Sequence, residues 1–152
     1  KELDFVNLEN SAISVEEEKN YIYTVSEKFL NKYDNHIPGI NSFDKNHLIS
    51  HGVKKKHIEK KEVVAISIEK LIEKYKIDNL DLLFIDTEGY DGKIVYDFLS
   101  KSSMRPIIIF EFIHIKFNFF EKVIKKLDEK NYNYFEVQEN LFCFPNENKI
   151  IL

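Results

Sequence analysis

LDLLFIDTEGYDGKIVYDFL, residues 80–99, decides the reading of this chain. Its first part, DLLFID (81–86), is an apolar run too short for a helix and made of residues that fit a packed pleated surface, so it reads as a buried strand. A turn follows at Glu88-Gly89, Asp91 is placed to cap a helix, and Ile94, Val95, Phe98 and Leu99 then fall on one helical face. In α/β proteins ligands lie beyond the carboxyl ends of the strands. Asp86, Glu88 and Asp91 therefore stand where chemistry is expected.

Downstream, PIIIFEFIHI (106–115) is apolar enough to be a second strand buried on both faces, as in a sheet covered by helices on each side. Phe120, Val123, Ile124 and Leu127 then repeat at helical spacing, and YNYFEV (132–137) and LFCFP (141–145) read as paired terminal strands about a turn at 138–140. Upstream, EVVAISI (62–68) is strand-like, and Ser67 can cap a helix that carries Ile68, Leu71, Ile72 and Tyr75 on one face. LDFVNL (3–8) and NYIYTV (20–25) read as short strands. Residues 26–61 are polar, basic and aperiodic, with a turn at Pro38-Gly39, and read as one long loop of the kind that tends to be functional or mobile. The pattern predicts an α/β fold, an open and mainly parallel sheet ending in an antiparallel hairpin, as a single domain over 1–152.

Hydrophobic residues make up 43% of the chain, enough for a core and against general disorder. A formal net charge of -4 argues against a nucleic-acid surface. The local run Lys54, Lys55, Lys56, Lys60 and Lys61 reads as a solvated face. Cys143 is the one cysteine, so no internal disulfide can form, and in LFCF it reads as a small buried hydrophobe. No segment looks able to span a bilayer and no signal peptide is visible, so a cytoplasmic location without membrane partners is expected. The sequence starts at Lys1 rather than Met, which suggests a piece of a longer protein.

Two adjacent strands would deliver Asp86 and Glu88 from one tip, and Glu111 and His114 from the other. Neighbouring carboxyls raise one another's pKa, and a histidine among them exchanges protons near neutral pH. Spacing alone leaves two plainer readings open: Asp86 and Glu88 as caps of the next helix, and His114 as a satisfied core histidine. A divalent ion held by Asp86, Glu88, Glu111 and His114 is a further alternative. His36, His47, His51 and His57 match no usual zinc spacing and have no cysteine partners, although His47 and His51 at i and i+4 can share a helix face. They fit better in a lid over a pocket, and no metal is assigned.

The ordered set FVNLENSAIS (5–14), GINSF (39–43), VVAISIEKLIEKYKIDN (63–79), LDLLFIDTEGYDGKIV (80–95) and RPIIIFEFIHI (105–115) resembles the FkbM-type methyltransferase domain. IDTEG alone is moderately specific; the five elements in order are more so. The resemblance implies a Rossmann-like class I methyltransferase fold and S-adenosylmethionine-dependent methylation of a hydroxyl on a sugar or secondary metabolite. It places Asp86 beside the reactive methyl, Glu88 next to it, and Glu111 and His114 at the acceptor as catalytic groups. Asn10 and Ala12, with Asp86, would bind the cofactor, while Ser42 and His47 would meet a small-molecule or glycan acceptor. The four glycines, at 39, 52, 89 and 92, include no glycine-rich turn for the cofactor's methionine part. The fold is therefore expected to be incomplete at its N-terminus. A strand edge so exposed would favour self-association, or a noncatalytic module that pairs with a partner chain.

Overall fold

The computed structural model describes residues 6–15, 21–34 and 36–146. Its elements, in chain order, are β1 (Ala12–Ile13), β2 (Tyr21–Val25), α1 (Lys45–Ser50), β3 (Ile58–Glu62), β4 (Ala65–Ile66), α2 (Ile68–Tyr75), β5 (Leu82–Ile85), α3 (Asp91–Lys101), β6 (Ile107–Glu111), α4 (Phe117–Glu129), β7 (Tyr132–Val137) and β8 (Asn140–Pro145). Short 3-10 turns stand at Glu27–Lys32, Ile37–Gly39 and Lys55–His57. No helix among the described residues is long and apolar enough to cross a membrane.

The largest sheet has the order β5-β6-β8-β7. β5 and β6 are parallel, with Leu82 opposite Ile107 and Ile85 opposite Phe110, while β8 runs antiparallel to both β6 and β7. The fold is α/β, as expected, but its sheets are mixed rather than mainly parallel. The cause is the last hairpin. The crossover through α4 sets β7 one place beyond β6, and the tight turn at Gln138 and Glu139 folds β8 back into the gap, where it runs opposite to both neighbours. Gln138 takes the left-handed conformation this turn needs, with φ 56°.

α3 and α4 cover one face of this sheet. Ile94, Val95, Phe98, Val123 and Leu127 meet Phe110 and Ile108 in a core where each is at most 3% exposed. Full burial of a side chain such as Phe110 contributes about 2 to 3 kcal/mol. Cys143 lies in the same core, and burial pushes its thiol up to about 12, as suits an inert hydrophobe. The opposite face differs from expectation. β5 and β6 were read as buried on both sides, yet Leu82 is 50%, Phe84 60%, Ile107 46% and Phe135 51% exposed, because both helices that pack on these strands lie on one side. A continuous apolar run cannot by itself tell one covered face from two.

Two smaller sheets complete the fold. β1 and β4 pair in parallel, Ala12 opposite Ala65, and β2 and β3 pair antiparallel from Tyr21–Glu62 to Val25–Ile58. The expected strand LDFVNL is not formed where it is described. Residues 3–5 lie outside the described residues, Val6 and Leu8 are exposed and irregular, and the strand begins at Ala12. Glu9 instead accepts hydrogen bonds from Ser11, Lys74 and Tyr75, which ties the segment before β1 to α2.

The segment 26–61 is structured rather than one long loop. Val25, Ile37, Ile40, Leu48 and Val53 form a second buried cluster, each at most 6% exposed. Each short element contributes only one or two of these anchors, so no period is visible in the sequence. Buried His57 stacks on Phe29, and its Nδ1 is 2.6 Å from the Tyr33 hydroxyl. It is a packing residue of that cluster and stands apart from the other loop histidines. The lysines at 54–56, 60 and 61 are exposed, as expected of a solvated face.

Candidate functional site

The turn from β5 into α3 owes its shape to backbone conformation and one buried carboxylate. Glu88 (φ 52°) and Gly89 (φ 90°) are successive left-handed residues, which turn the chain back over the end of the strand. Gly89 also lies against two imidazoles: a Cβ there would stand 3.4 Å from His114 Cβ and 3.7 Å from His47 Nδ1. Asp91 was expected as the helix N-cap. Tyr90 occupies that position, and Asp91 is the first residue of the helix itself. Its fully buried carboxylate reaches backward, accepting from the Thr87 amide at 3.3 Å, the Thr87 hydroxyl at 3.0 Å and the Gly89 amide at 3.2 Å. Burial raises its pKa, and these hydrogen bonds oppose the rise.

The expected residues gather at the carboxyl ends of β5 and β6. Asp86 is exposed immediately beyond β5, and Glu111 is the last residue of β6, one step on from the Ile85–Phe110 pair. Glu111 Oε2 is buried and, among the described residues, has no hydrogen-bond partner; His114 Nε2 stands 3.9 Å from it. Burial is the main cause that raises the Glu111 pKa. The nearby Asp91, Glu88 and Asp86 charges add to the rise, and His114 opposes it. Glu88 pairs with His47, Nε2 to Oε2 at 3.1 Å.

Two hollows open here. One of about 770 Å³ is lined by His47, Glu88, His114, Asn46 and Phe119, among others. The second, of about 430 Å³, is lined by Ser11, Ala12, Asn41, Asp86 and Thr87. Ser42, Phe43, Glu88 and Tyr90 belong to both, so the two hollows adjoin along these residues. Buried Ser42 is held by paired backbone hydrogen bonds with Tyr23, and the Phe43 and Tyr90 rings meet at 5.0 Å. Ala12, Asp86 and Ser42 thus share the smaller hollow, and Ser42, Glu88, His47 and His114 the larger one. Asn10 is exposed and lines neither, and Glu111, expected at the acceptor, is half-buried and also lines neither.

The sequence reading placed His47 and His51 in a lid over the pocket and, through the resemblance, His47 at the acceptor, but it gave His51 no place beside Glu88 and His114. The structure joins them. α1, capped by Asp44 accepting from the Asn46 amide at 2.8 Å, presents His47 and His51 toward the turn. Ring centroids lie 4.6 Å apart for His47 and His51, 4.9 Å for His47 and His114, and 5.3 Å for His51 and His114. Burial, then the two neighbouring imidazoles, lowers the His51 pKa. The signal was the i, i+4 spacing in HLISH (47–51), but nothing in the sequence says that this helix faces the β5 tip.

The family model described as the methyltransferase FkbM domain matches residues 5–134. No curated protein and no solved structure matches the chain.

Proposed function

Because the chain belongs to the methyltransferase FkbM domain family, we propose that its site transfers a methyl group from S-adenosylmethionine to a hydroxyl of a sugar or secondary metabolite. The observation that carries this is the pair of hollows that adjoin at the tips of β5 and β6 and share four lining residues. Transfer needs a donor and an acceptor held on either side of one short path, and two adjoining hollows suit that. The order β5-β6-β8-β7, with its reversed strand inside the hairpin, supports a Rossmann-like sheet of the class I kind.

The smaller hollow fits part of the cofactor. Ala12 and Ile13 offer apolar surface to a planar base, Ser11 and Asn41 offer hydrogen-bonding groups, and the exposed carboxylate of Asp86 suits an amine. The 152 residues contain no glycine-rich turn for the carboxylate end of the methionine part. When bound, the cofactor supplies a methyl group on a sulfonium and leaves as the thioether.

The larger hollow takes the acceptor. Ser42, Asn46 and Glu88 supply hydrogen bonds to hydroxyls, and Phe119 and Tyr90 supply flat apolar surface for the face of a sugar. Its carboxylate disfavours a nucleic-acid backbone. His114 holds the acceptor oxygen and takes its proton as the oxygen bonds to the methyl carbon, and the Glu111 carboxylate, 3.9 Å from His114 Nε2, stabilises the imidazolium so formed. Asp86 stands beside the donor.

Calorimetric titration with S-adenosylhomocysteine, which cannot react, tests the donor half. Micromolar binding, weakened at least tenfold by Asp86→Ala, is the expected result. A folded chain that binds nothing would remove the donor site. It would leave a second reading, a noncatalytic module that pairs with another chain, including a copy of itself. The exposed apolar face at Leu82, Phe84 and Ile107 favours that reading.

A further inference from the structure

We propose that His47, His51, Glu88 and His114 hold a divalent transition-metal ion of the zinc class on the wall of the larger hollow. One ligand atom from each residue can be chosen so that all four lie within 4.8 Å of one another. A tetrahedral ion with bonds of about 2.0 to 2.1 Å to nitrogen and oxygen needs its ligand atoms about 3.4 Å apart. His47 and Glu88 already stand at 3.1 Å, so the remaining contraction is a small side-chain adjustment.

Three separate parts of the fold converge to make the set: α1 and the residue that caps its C-terminus supply His47 and His51, the left-handed turn after β5 supplies Glu88, and the segment after β6 supplies His114. Gly89 allows the close approach, since its bare backbone lies against both His47 and His114. A simple hydrogen-bonded pair would account for His47 and Glu88. It would leave unexplained why ligand atoms of His51 and His114 also lie within 4.8 Å of that pair.

The donor set selects the ion. Mg²⁺ and Ca²⁺ prefer oxygen ligands, whereas three imidazoles and one carboxylate suit Zn²⁺ and its first-row neighbours. A thiolate-dependent ion is unsuited, because Cys143 is enclosed in the core. His47, Glu88 and His114 line the open hollow while His51 does not, so a fifth ligand could reach the ion only from the hollow, by expansion of its shell. Resting on the methyl-transfer reading, we assign that position to an acceptor hydroxyl, whose proton passes to water in the open hollow. The ion then replaces direct contact between His114 and the acceptor and lowers the pKa of the bound hydroxyl. The ion site itself does not depend on that reading.

Cobalt(II), a spectroscopic substitute for zinc, tests the site on the chain as it stands. The expected result is one ion per chain with the visible absorption of a four- or five-coordinate nitrogen-rich site, displaced by Zn²⁺. His51→Ala and His114→Ala should each weaken binding at least tenfold and His36→Ala should leave it unchanged, with circular dichroism confirming that each variant is folded. Equal binding by the wild type and the folded His51→Ala variant would overturn the proposal, as would binding no tighter than millimolar. Cobalt binding without S-adenosylhomocysteine binding would keep the ion site and remove the methyl-transfer reading; the reverse result would remove the ion alone.

Discussion

Replacing Asp91 tests whether one buried carboxylate sets the shape of the active turn. Asp91→Ala strands the Thr87 and Gly89 amides and frees the Thr87 hydroxyl to turn elsewhere. Two amides left unpaired at about 1 to 2 kcal/mol each, plus a few tenths for the hydroxyl, give about 3 kcal/mol of lost stability, reduced somewhat because a buried charge is also removed. Asp91→Asn keeps one acceptor oxygen but points an amide nitrogen at donors, so about 1 to 2 kcal/mol is expected, and Thr87→Val should cost about 1 kcal/mol. Burial raises the Asp91 pKa, so its contribution is fully present below the unfolded carboxylate pKa and declines as pH rises through the folded one. The gap between wild type and Asp91→Asn should therefore be wider below about pH 4 than at neutrality. Urea unfolding followed by circular dichroism gives these differences from the midpoints, provided the slopes agree. A loss under about 1 kcal/mol for Asp91→Ala, or an asparagine variant less stable than the alanine one, would refute the reasoning.

Four further outcomes are expected. The Tyr132 hydroxyl, donating to the Pro106 carbonyl at 3.0 Å, is pushed up to about 12 by burial. Its contribution, about 2 to 3 kcal/mol, is whole below about pH 10 and is lost as pH rises through about 12, so melting temperature should fall there by less in Tyr132→Phe than in wild type. Hydrogen bonds from Lys74 first, then Ser11 and Tyr75, hold Glu9 down to about 2. The stability that this adds is present above the ordinary carboxylate pKa and lost as pH falls to about 2, so the difference between wild type and Lys74→Met seen at neutral pH should vanish in acid melts. Gly89→Ala should cost about 1 to 3 kcal/mol in denaturant because φ is +90°. Gly39→Ala, with open space at its Cβ, should be neutral or gain up to about 1 kcal/mol.

Most of the second half of the fold was legible because its signals are local. The stripe Ile94, Val95, Phe98 and Leu99 and the serine cap at Ser67, which accepts from the Lys70 amide at 3.2 Å, both formed as read. The segment 26–61 was not legible, because Leu48, Val53 and Ile37 are anchors from separate short elements whose meeting depends on tertiary packing. Asp91 was misread for a related reason. Its three donors lie before it in the chain, whereas a capping reading looks only ahead into the helix. Asp86, Glu88, Glu111 and His114 could be placed from the strand tips, while the approach of α1 to them could not, since it is set by a second core remote in sequence.

Ser42, Phe43, Glu88 and Tyr90 border both hollows. A ligand that shifts Glu88 or the Phe43–Tyr90 ring pair from one side alters the surface met by a ligand on the other. Such linkage is reciprocal: whatever factor the first guest changes in the affinity of the second, the second returns to the first. Guests in the two hollows would therefore be linked through these four residues, each changing the affinity of the other.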